Sequence, residues 1–524
     1  MIRREVHFGR MVPAFQDRPA HVDDMFRARA DAAPEAPAVV AGTRRITYGA
    51  LDAAVDRLAD GLWARGIRKG ARVATLIGNR VEVVEISLAC ARLGAIHVPL
   101  DIRQRRREIA FALAQSGAEM LLYDVACAGE LPGRDEVLDL THHVAVGGAA
   151  TDADAYERLP MAAGARPGVA VGEDDPCCIL YTSGTTGRPK GAILTHFGVV
   201  HSCLHYRLAL GLEPSDRTVL AVPCAHVTGL VGVIHATFAA GACLILMTQF
   251  KARHFLELAE RERITATLMV PAMYNLCLLD AEFDRFDLSS WRIGAFGGAP
   301  MPEASALRLR AKSPDLTLFN VYGATETTSP VAILPRDAPM ERLNCVGRVL
   351  PCADIRVMGD DAREVPVGEP GELWIAGASI APGYWRHPEA DAASFVGGYW
   401  RSGDVGSIDA DGYLKVFDRK KDMINRAGYK VYSAEVESVI VDHPGVSEAA
   451  VIGYPDPVLG ERVEAFVVAA GEVSEEGLRG FCAVRLSDYK VPDRITFLPD
   501  GLPRNPNGKV MKSELRNRAI AGSA

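Results

Sequence analysis

YTSGTTGRPKGA, residues 181–192, is the stretch on which the fold of this chain turns. Thr182, Ser183, Gly184, Thr185, Thr186 and Gly187 are all small or hydroxylated, and Arg188, Pro189 and Lys190 follow. The residues just before, Cys177, Cys178, Ile179, Leu180 and Tyr181, form an apolar run of strand length, which predicts a loop leaving a strand. Glycine lets backbone N–H groups turn toward a ligand and the hydroxyls add donors, so such a loop makes a concavity for phosphate oxygens. Lys190 adds a point charge beside it. The ordinary P-loop ends in Gly-Lys-Ser or Gly-Lys-Thr, whereas here Pro189 stands directly before the lysine. A Gly- and Thr-rich stretch can also be a flexible linker, so the surrounding sequence has to decide.

Upstream, helix-like and strand-like runs alternate. Residues 50–65 are helical in pattern and 72–77 strand-like. Val81, Val84, Leu88 and Ala91 share one helical face, 95–98 is a short strand, and a helix over 105–115 precedes the apolar run 119–123. Residues 128–170, rich in Gly, Ala and Asp, read as irregular surface. Downstream, apolar runs at 219–224, 243–247, 265–270, 293–296 and 316–322 each end in Gly, Pro or polar residues. This alternation predicts an α/β fold with doubly wound parallel sheets. In such sheets ligands collect at the carboxyl ends of the strands. Four segments stand there: YTSGTTG, PCAHVTG with His226, FGGAP with Gly298 and Ala299, and YGATE. From 354 to 417, short strands with Gly and Pro turns predict a small β-subdomain, and a compact α+β tail follows DRKKD at 418–422. In that tail Ser433 is expected to cap a helix with Glu435 and Glu437 in its first turn. The expected organisation is a large N-terminal domain over 1–418, a boundary at 419–421 and a small C-terminal domain over 422–524.

Composition narrows the function. The chain has 524 residues, 48% apolar and 24% charged, with 58 basic and 66 acidic residues and a net charge of −8. That balance gives no electrostatic case for a nucleic-acid or acidic-membrane partner. The basic cluster at 103–107 is read as a solvated helix face. Eleven cysteines without CxxC pairs or zinc-spaced histidines predict reduced thiols and a cytoplasmic protein. MIRREVHFGR at the N-terminus has charges with no apolar run behind them, so no secretory signal is expected. Residues 218–250 contain no Asp, Glu, Lys or Arg, but Pro223, His226, Gly229, Gly232, His235 and Gly241 interrupt them, which favours buried strands over a membrane span.

The opening motif resembles the phosphate-binding signature of the adenylate-forming enzymes: acyl-CoA synthetases, peptide-synthetase adenylation domains and luciferases. Four further stretches match that family in order: NVYGATETT (320–328), YWRSGDVG (399–406), DRKKDMINRAGYKVYSAEVE (418–437) and LPRNPNGKVMK (502–512). The resemblance implies that Asn320 and Tyr322 hold adenine, with Thr325 beside the phosphates. It makes Glu326 the magnesium-proximal carboxylate, which suits a hard cation on phosphate oxygens. Asp404 and Arg419 would hold the ribose, Lys421 would be the hinge of a mobile C-terminal lid, and Gly428, Tyr429 and Lys430 would line the CoA channel. Lys509 would be the catalytic lysine. Ser433 and Asn425 depart from the family, where Pro and an apolar residue are common.

The implied chemistry has two steps: a carboxylate attacks the α-phosphorus of Mg-ATP to give acyl-AMP and pyrophosphate, and the thiol of CoA then takes the acyl group. Lys190 and Lys509 serve as charge on the phosphates and the carboxylate. His226 matches the position where the acyl pocket meets the nucleotide, with a packed core histidine as the other reading. Val227, Val231, Phe296, Gly323 and Pro330 are the expected pocket walls. Acetate-specific relatives carry a bulky Trp at the position of Gly323, so a medium-chain or aromatic acid is expected. Two other readings stay open. One is a stand-alone enzyme loading an acyl or amino acid onto a carrier protein, against which no carrier segment follows Lys509. The other is an inactive ATP-binding scaffold, against which Lys509, Glu326 and Asp404 are all present.

Overall fold

The computed structural model describes residues 1–161, 166–182, 189–299, 301–504 and 510–521. By internal packing the chain divides into Met1–Ile355 with Ile375–Trp400, and Arg356–Trp374 with Arg401–Ala524. Segments 356–374 and 401–418, expected in the large domain, thus pack with the C-terminal residues.

The first unit contains a short N-terminal hairpin, Ile2–His7 with Arg10–Phe15, and two large sheets. One runs in the order Lys190–Thr195, Pro176–Thr182, Ile96–Pro99, Arg72–Leu76, Met120–Asp124, His142–Val146, Asp154–Ala155. All neighbours are parallel except the first pair, where Lys190 stands opposite Thr182 in an antiparallel register. The strands on either side of the predicted phosphate loop are therefore antiparallel neighbours, and the first of them is the strand that the loop was expected to leave. His142–Val146 falls where irregular surface was expected: a five-residue HHVAV strand is too short to stand out from its Gly- and Asp-rich flanks.

The other sheet places Thr317–Tyr322, Ile293–Gly297, Ala266–Met269, Arg217–Leu220, Cys243–Leu246 and Pro37–Ala41 side by side in parallel. Arg44–Thr47 and Ala332–Ile333 add antiparallel strands beside Pro37–Ala41 and Thr317–Tyr322, so both sheets are mixed where purely parallel ones were expected. Runs such as ATLM and CLIL are buried along their whole length, as strands covered on both faces must be.

The helix Val81–Leu93 buries eleven residues, not the single face read from its sequence. Ser87 Oγ lies 3.2 Å from His235 Nε2, and Arg92 is neutralised by Asp23, Asp52 and Asp56 at 2.8, 2.5 and 3.1 Å. A buried guanidinium needs that many carboxylates to offset its desolvation. The uncharged stretch 218–250 resolves into strand, an eight-residue π-helix Thr228–His235, the helix Ala236–Ala240, and strand. Among the described residues no helix is long and apolar enough to cross a membrane. All eleven cysteines are free and ten are buried; burial pushes the Cys177 thiol up to about 12, which makes it an inert core residue.

The second unit is an α+β body. Val446–Asp456 and Gly460–Ala469 form a long antiparallel hairpin, flanked by Arg494–Phe497 in parallel and by the short hairpin Ile424–Arg426 and Tyr429–Val431. Helices Ser433–Val441, Glu475–Ala483 and Lys512–Ala521 complete it.

Candidate active site

Three strand-end groups in the first unit carry the chemistry-bearing residues. Glu326 lies in the loop leaving Thr317–Tyr322, a compact turn in which Thr328 N donates to Thr325 O at 2.9 Å and Ala324 N to Thr327 Oγ1 at 2.8 Å. A Cβ at Gly323 would sit 3.1 Å from the Cα atoms of both Ser329 and Pro330, so any side chain there would crowd the backbone of the turn. The segment 381–385 is laid between this turn and the strand Lys190–Thr195. Ala381 N donates to Glu326 O at 2.8 Å, Ile193 N to Gly383 O at 3.0 Å, and Trp385 N to Gly191 O at 2.7 Å. Tyr384 is thereby held with its hydroxyl donating to Glu326 Oε1 at 2.9 Å, while Lys190 Nζ stands 5.1 Å from its ring centroid. Burial, reinforced by the Glu326 carboxylate, pushes the Tyr384 phenol up, so it stays a donor. The structure thus brings Lys190 and Glu326 to one place through a tyrosine that sequence reasoning missed. Its only signal was an aromatic pair after Pro382-Gly383.

The adenine candidates neighbour this group. Phe296 is in register with Asn320, which puts Gly298 and Ala299 beside the residues that follow Asn320. Asn320 is buried and its Nδ2 donates to Cys345 O at 3.0 Å. Gly298 and Ala299 are exposed, Gly298 with φ at 78°, and Tyr322 and Thr325 are half-buried.

The third group is His226 with Asp101. His226 Nε2 lies 3.0 Å from Asp101 Oδ2, and 27% of the His226 side chain is accessible. Asp101 also accepts from Arg103 through its backbone N, Nε and Nη2 at 2.9, 3.0 and 2.8 Å. Burial opposes ionisation of Asp101, but the bonds from His226 and Arg103 outweigh it and hold the carboxyl well below the usual carboxylate range.

In the second unit Asp404 and Arg419 face each other across an antiparallel pair of strands, Arg419 Nε to Asp404 Oδ1 at 2.6 Å. Asp418 Oδ2 accepts from both Ser433 N and Ser433 Oγ, at 2.5 and 2.6 Å. Ser433 is therefore the first residue of its helix and not the cap; the cap position is Tyr432, and the Asp418 carboxylate supplies the negative charge at the helix N-terminus. Lys512 Nζ joins this cluster, 2.6 Å from Ser433 Oγ and 2.7 Å from Glu437 Oε1. Ala427 and Gly428, with φ of 51° and 88°, form the two-residue turn of the hairpin, and the Asn425 side chain accepts from Gly428 N at 3.1 Å. Tyr429, 58% exposed, stacks on Tyr489 at 4.7 Å. Lys421 O accepts from Arg516, whose other contact is Asp422 at 2.7 Å.

A family model for AMP-binding enzymes matches residues 26–385, and the C-terminal domain of the same enzymes matches 435–509. The chain belongs to the AMP-binding enzyme family. It is 39% identical to the long-chain-fatty-acid–CoA ligase FadD13 of Mycobacterium tuberculosis, over 95% of this chain and 98% of that one. It is 38% identical to a feruloyl-CoA synthase of Amycolatopsis, over 94% and 97%. Among solved structures, o-succinylbenzoate CoA synthetase (MenE) of Bacillus subtilis, in complex with its acyl-adenylate intermediate, superimposes with a TM-score of 0.84 at 31% identity, covering 94% of this chain and 97% of that one.

In this AMP-binding enzyme Ser183, Gly184, Thr185, Thr186, Gly187 and Lys509 lie outside the described residues; Thr182 is described and pairs with Lys190. Of the expected pocket walls, Val231 and Phe296 have no exposed surface, and Val227 and Pro330 are buried. The π-helix that carries Val231 begins two residues after His226, and π-turns of this kind mark functional segments. Among the described residues Glu5, His7 and Glu173 have the spacing of a metal site, but Arg18 bridges Glu5 and Glu173 at 2.7 and 2.9 Å and supplies the positive charge itself.

Proposed function

We propose that this protein is an AMP-forming carboxylic acid:CoA ligase acting on a medium-chain or aromatic acid. The observation that carries the reading is the Lys190–Tyr384–Glu326 group at the strand ends, an ammonium and a carboxylate held by one buried tyrosine. Such a pair suits a nucleotide triphosphate with its cation: the ammonium for phosphate oxygens, the carboxylate for a hard metal. Glu326, a carboxylate whose partner Tyr384 can only donate to it, fits magnesium; when bound, that ion would neutralise charge on the phosphates.

The substrate carboxylate attacks the α-phosphorus of ATP, the bond to the β-phosphate oxygen breaks, and pyrophosphate leaves. Thr182 to Gly187 and Lys190 hold the leaving phosphates, Asn320 and Tyr322 the adenine, and Asp404 with Arg419 the ribose. Lys509 bridges the carboxylate and the α-phosphate. The CoA thiol then attacks the acyl carbon, gives up its proton, and AMP leaves with the bonding electron pair. Lys421 serves as hinge between the steps, and Gly428, Tyr429 and Lys430 guide the thiol. Glycine at position 323, where acetate-specific relatives carry a Trp, favours an acid larger than acetate, and the free cysteines fit a cytoplasmic setting. The test is incubation with ATP and magnesium over a panel of acids, with and without CoA. The reading requires acyl-CoA, AMP and pyrophosphate in equal amounts. Acyl-AMP that CoA does not consume would shift the reading to carrier loading, and silence with every acid would point to a scaffold.

A further inference from the structure

His226 is fixed from two sides. On the backbone side Asn79, 6% exposed, lies after the strand Arg72–Leu76 of one sheet and clamps the loop leaving Arg217–Leu220 of the other. Its Nδ2 lies 3.3, 3.0 and 3.0 Å from the carbonyls of Leu220, Val222 and Met247, and its Oδ1 accepts from Cys224 N at 2.9 Å. Two residues later His226 N donates to Pro223 O at 3.2 Å, and a Cβ at Gly229 would come within 2.2 Å of that same oxygen. The turn is closed so tightly that only glycine fits, and the Cα of His226 has no freedom to wander. On the side-chain side Asp101 holds Nε2.

This arrangement differs from that of the core histidines. His97, His205 and His235 are fully buried, and burial holds them neutral. His226 is partly accessible, stands where two strand-end loops from separate sheets meet, and is tied to an ionised carboxylate. An ionised carboxylate only accepts, so the nitrogen facing it must carry the proton.

We infer that Asp101 is a positioning residue that fixes the ring angle of His226 and keeps its proton on Nε2. Arg103 saturates the remaining lone pairs of Asp101 and prevents the carboxylate from swinging toward a substrate or a cation. Asp101 therefore acts through the imidazole and not on the nucleotide. The inference rests on His226 being a site residue of the proposed ligase.

A double-mutant cycle on pyrophosphate exchange tests it, with Asp101→Asn, His226→Ala and the pair. Asp101→Asn keeps shape and one acceptor while removing the charge. It is expected to lower kcat/KM about 10- to 100-fold, the worth of one charge-assisted hydrogen bond, with KM for ATP unchanged. In the His226→Ala background the same change is expected to cost less than about 3-fold, since the group it acts through is gone. In a spectrum of ¹⁵N-histidine-labelled protein the wild-type signal absent from His226→Ala should show the proton on Nε2, and Asp101→Asn should lose that signature. An equal loss in both backgrounds, no loss on Asp101→Asn, or a wild-type proton on Nδ1 alone would each overturn the inference. Full activity of His226→Ala would overturn it by removing His226 from the site, while the ligase reading survives. Absence of exchange by the wild type with every acid would instead overturn the ligase reading, with the tautomer measurement still deciding the geometry.

Discussion

Removing one oxygen from Tyr384 is a sharp test of how Glu326, the proposed cation-facing carboxylate, is held. Tyr384→Phe keeps the ring, its edge contact with Phe395 at 5.7 Å, the Lys190 ammonium 5.1 Å above it, and the Tyr384 N bond to Asp391 at 2.6 Å. It removes the bond to Glu326 Oε1 at 2.9 Å. Tyr384 is 5% exposed and Glu326 9%, so bulk water does not replace the lost donor. A hydrogen bond to an ionised acceptor is worth about 1.5–3 kcal/mol. Expressed in the transition state, that is roughly 10- to 100-fold in rate. The expected result is a fall of that size in kcat/KM for pyrophosphate exchange and a raised magnesium requirement, with the thermal midpoint shifted by only a few degrees because the ring packing survives. Exchange measured across a magnesium titration, beside a melting curve, reads both. Wild-type exchange at every magnesium concentration would refute the reasoning. A collapse of the melting curve in proportion to the activity would assign Tyr384 to folding instead.

Lys509→Ala should lower adenylation about 10³-fold, the equivalent of roughly 4 kcal/mol for two unit charges about 4 Å apart at an effective dielectric near 20, while thioester formation from supplied acyl-AMP is spared; equal loss in both steps would remove it from the first. Gly323→Ala places a Cβ 3.1 Å from two backbone Cα atoms, so a loss of about 1–3 kcal/mol is expected in urea unfolding, and an unchanged midpoint would show that the turn can relax. Burial holds His97, His196 and His205 down to about 3 and His201 and His235 to about 4, against about 6.5 when unfolded. The folded values lie below the unfolded ones, so stability is full above about pH 6.5 and is lost as pH falls toward 3–4. Between about pH 7 and pH 5 each titrating site costs up to about 2 kcal/mol, so the urea midpoint should fall, and a midpoint constant over that interval would contradict their burial as neutral groups.

Much of this was legible in the sequence because local patterns carry it. The strands at 72–76, 243–246 and 317–322 are short apolar runs closed by Gly or polar residues, and the motif NVYGATETT spans the end of the third. What escaped is non-local. Glu326 and Tyr384 are joined by a bond spanning 58 residues, and Asp101 reaches His226 from another sheet; no window of sequence contains either pair. The single helical face read over 81–93 became a helix buried nearly all round, because periodicity shows which residues are apolar but not that a second layer covers the other side. Ser433 looked like a cap because its residue type favours caps, yet Asp418, distant in sequence, took the helix N-terminus instead. The basic cluster at 103–107 was read as solvated, and Arg105 and Arg106 are indeed exposed ion pairs with Glu130 and Glu136. Arg103 is exposed as well, and its guanidinium pairs with Asp101 behind His226.

The central claim is that a carboxylate oxygen of the acid attacks the α-phosphorus of ATP. It is tested most directly by turning over an acid labelled with ¹⁸O in its carboxylate and weighing the products. The account predicts one labelled oxygen in AMP and none in pyrophosphate. Label appearing in inorganic phosphate, with ADP as the nucleotide product, would contradict it.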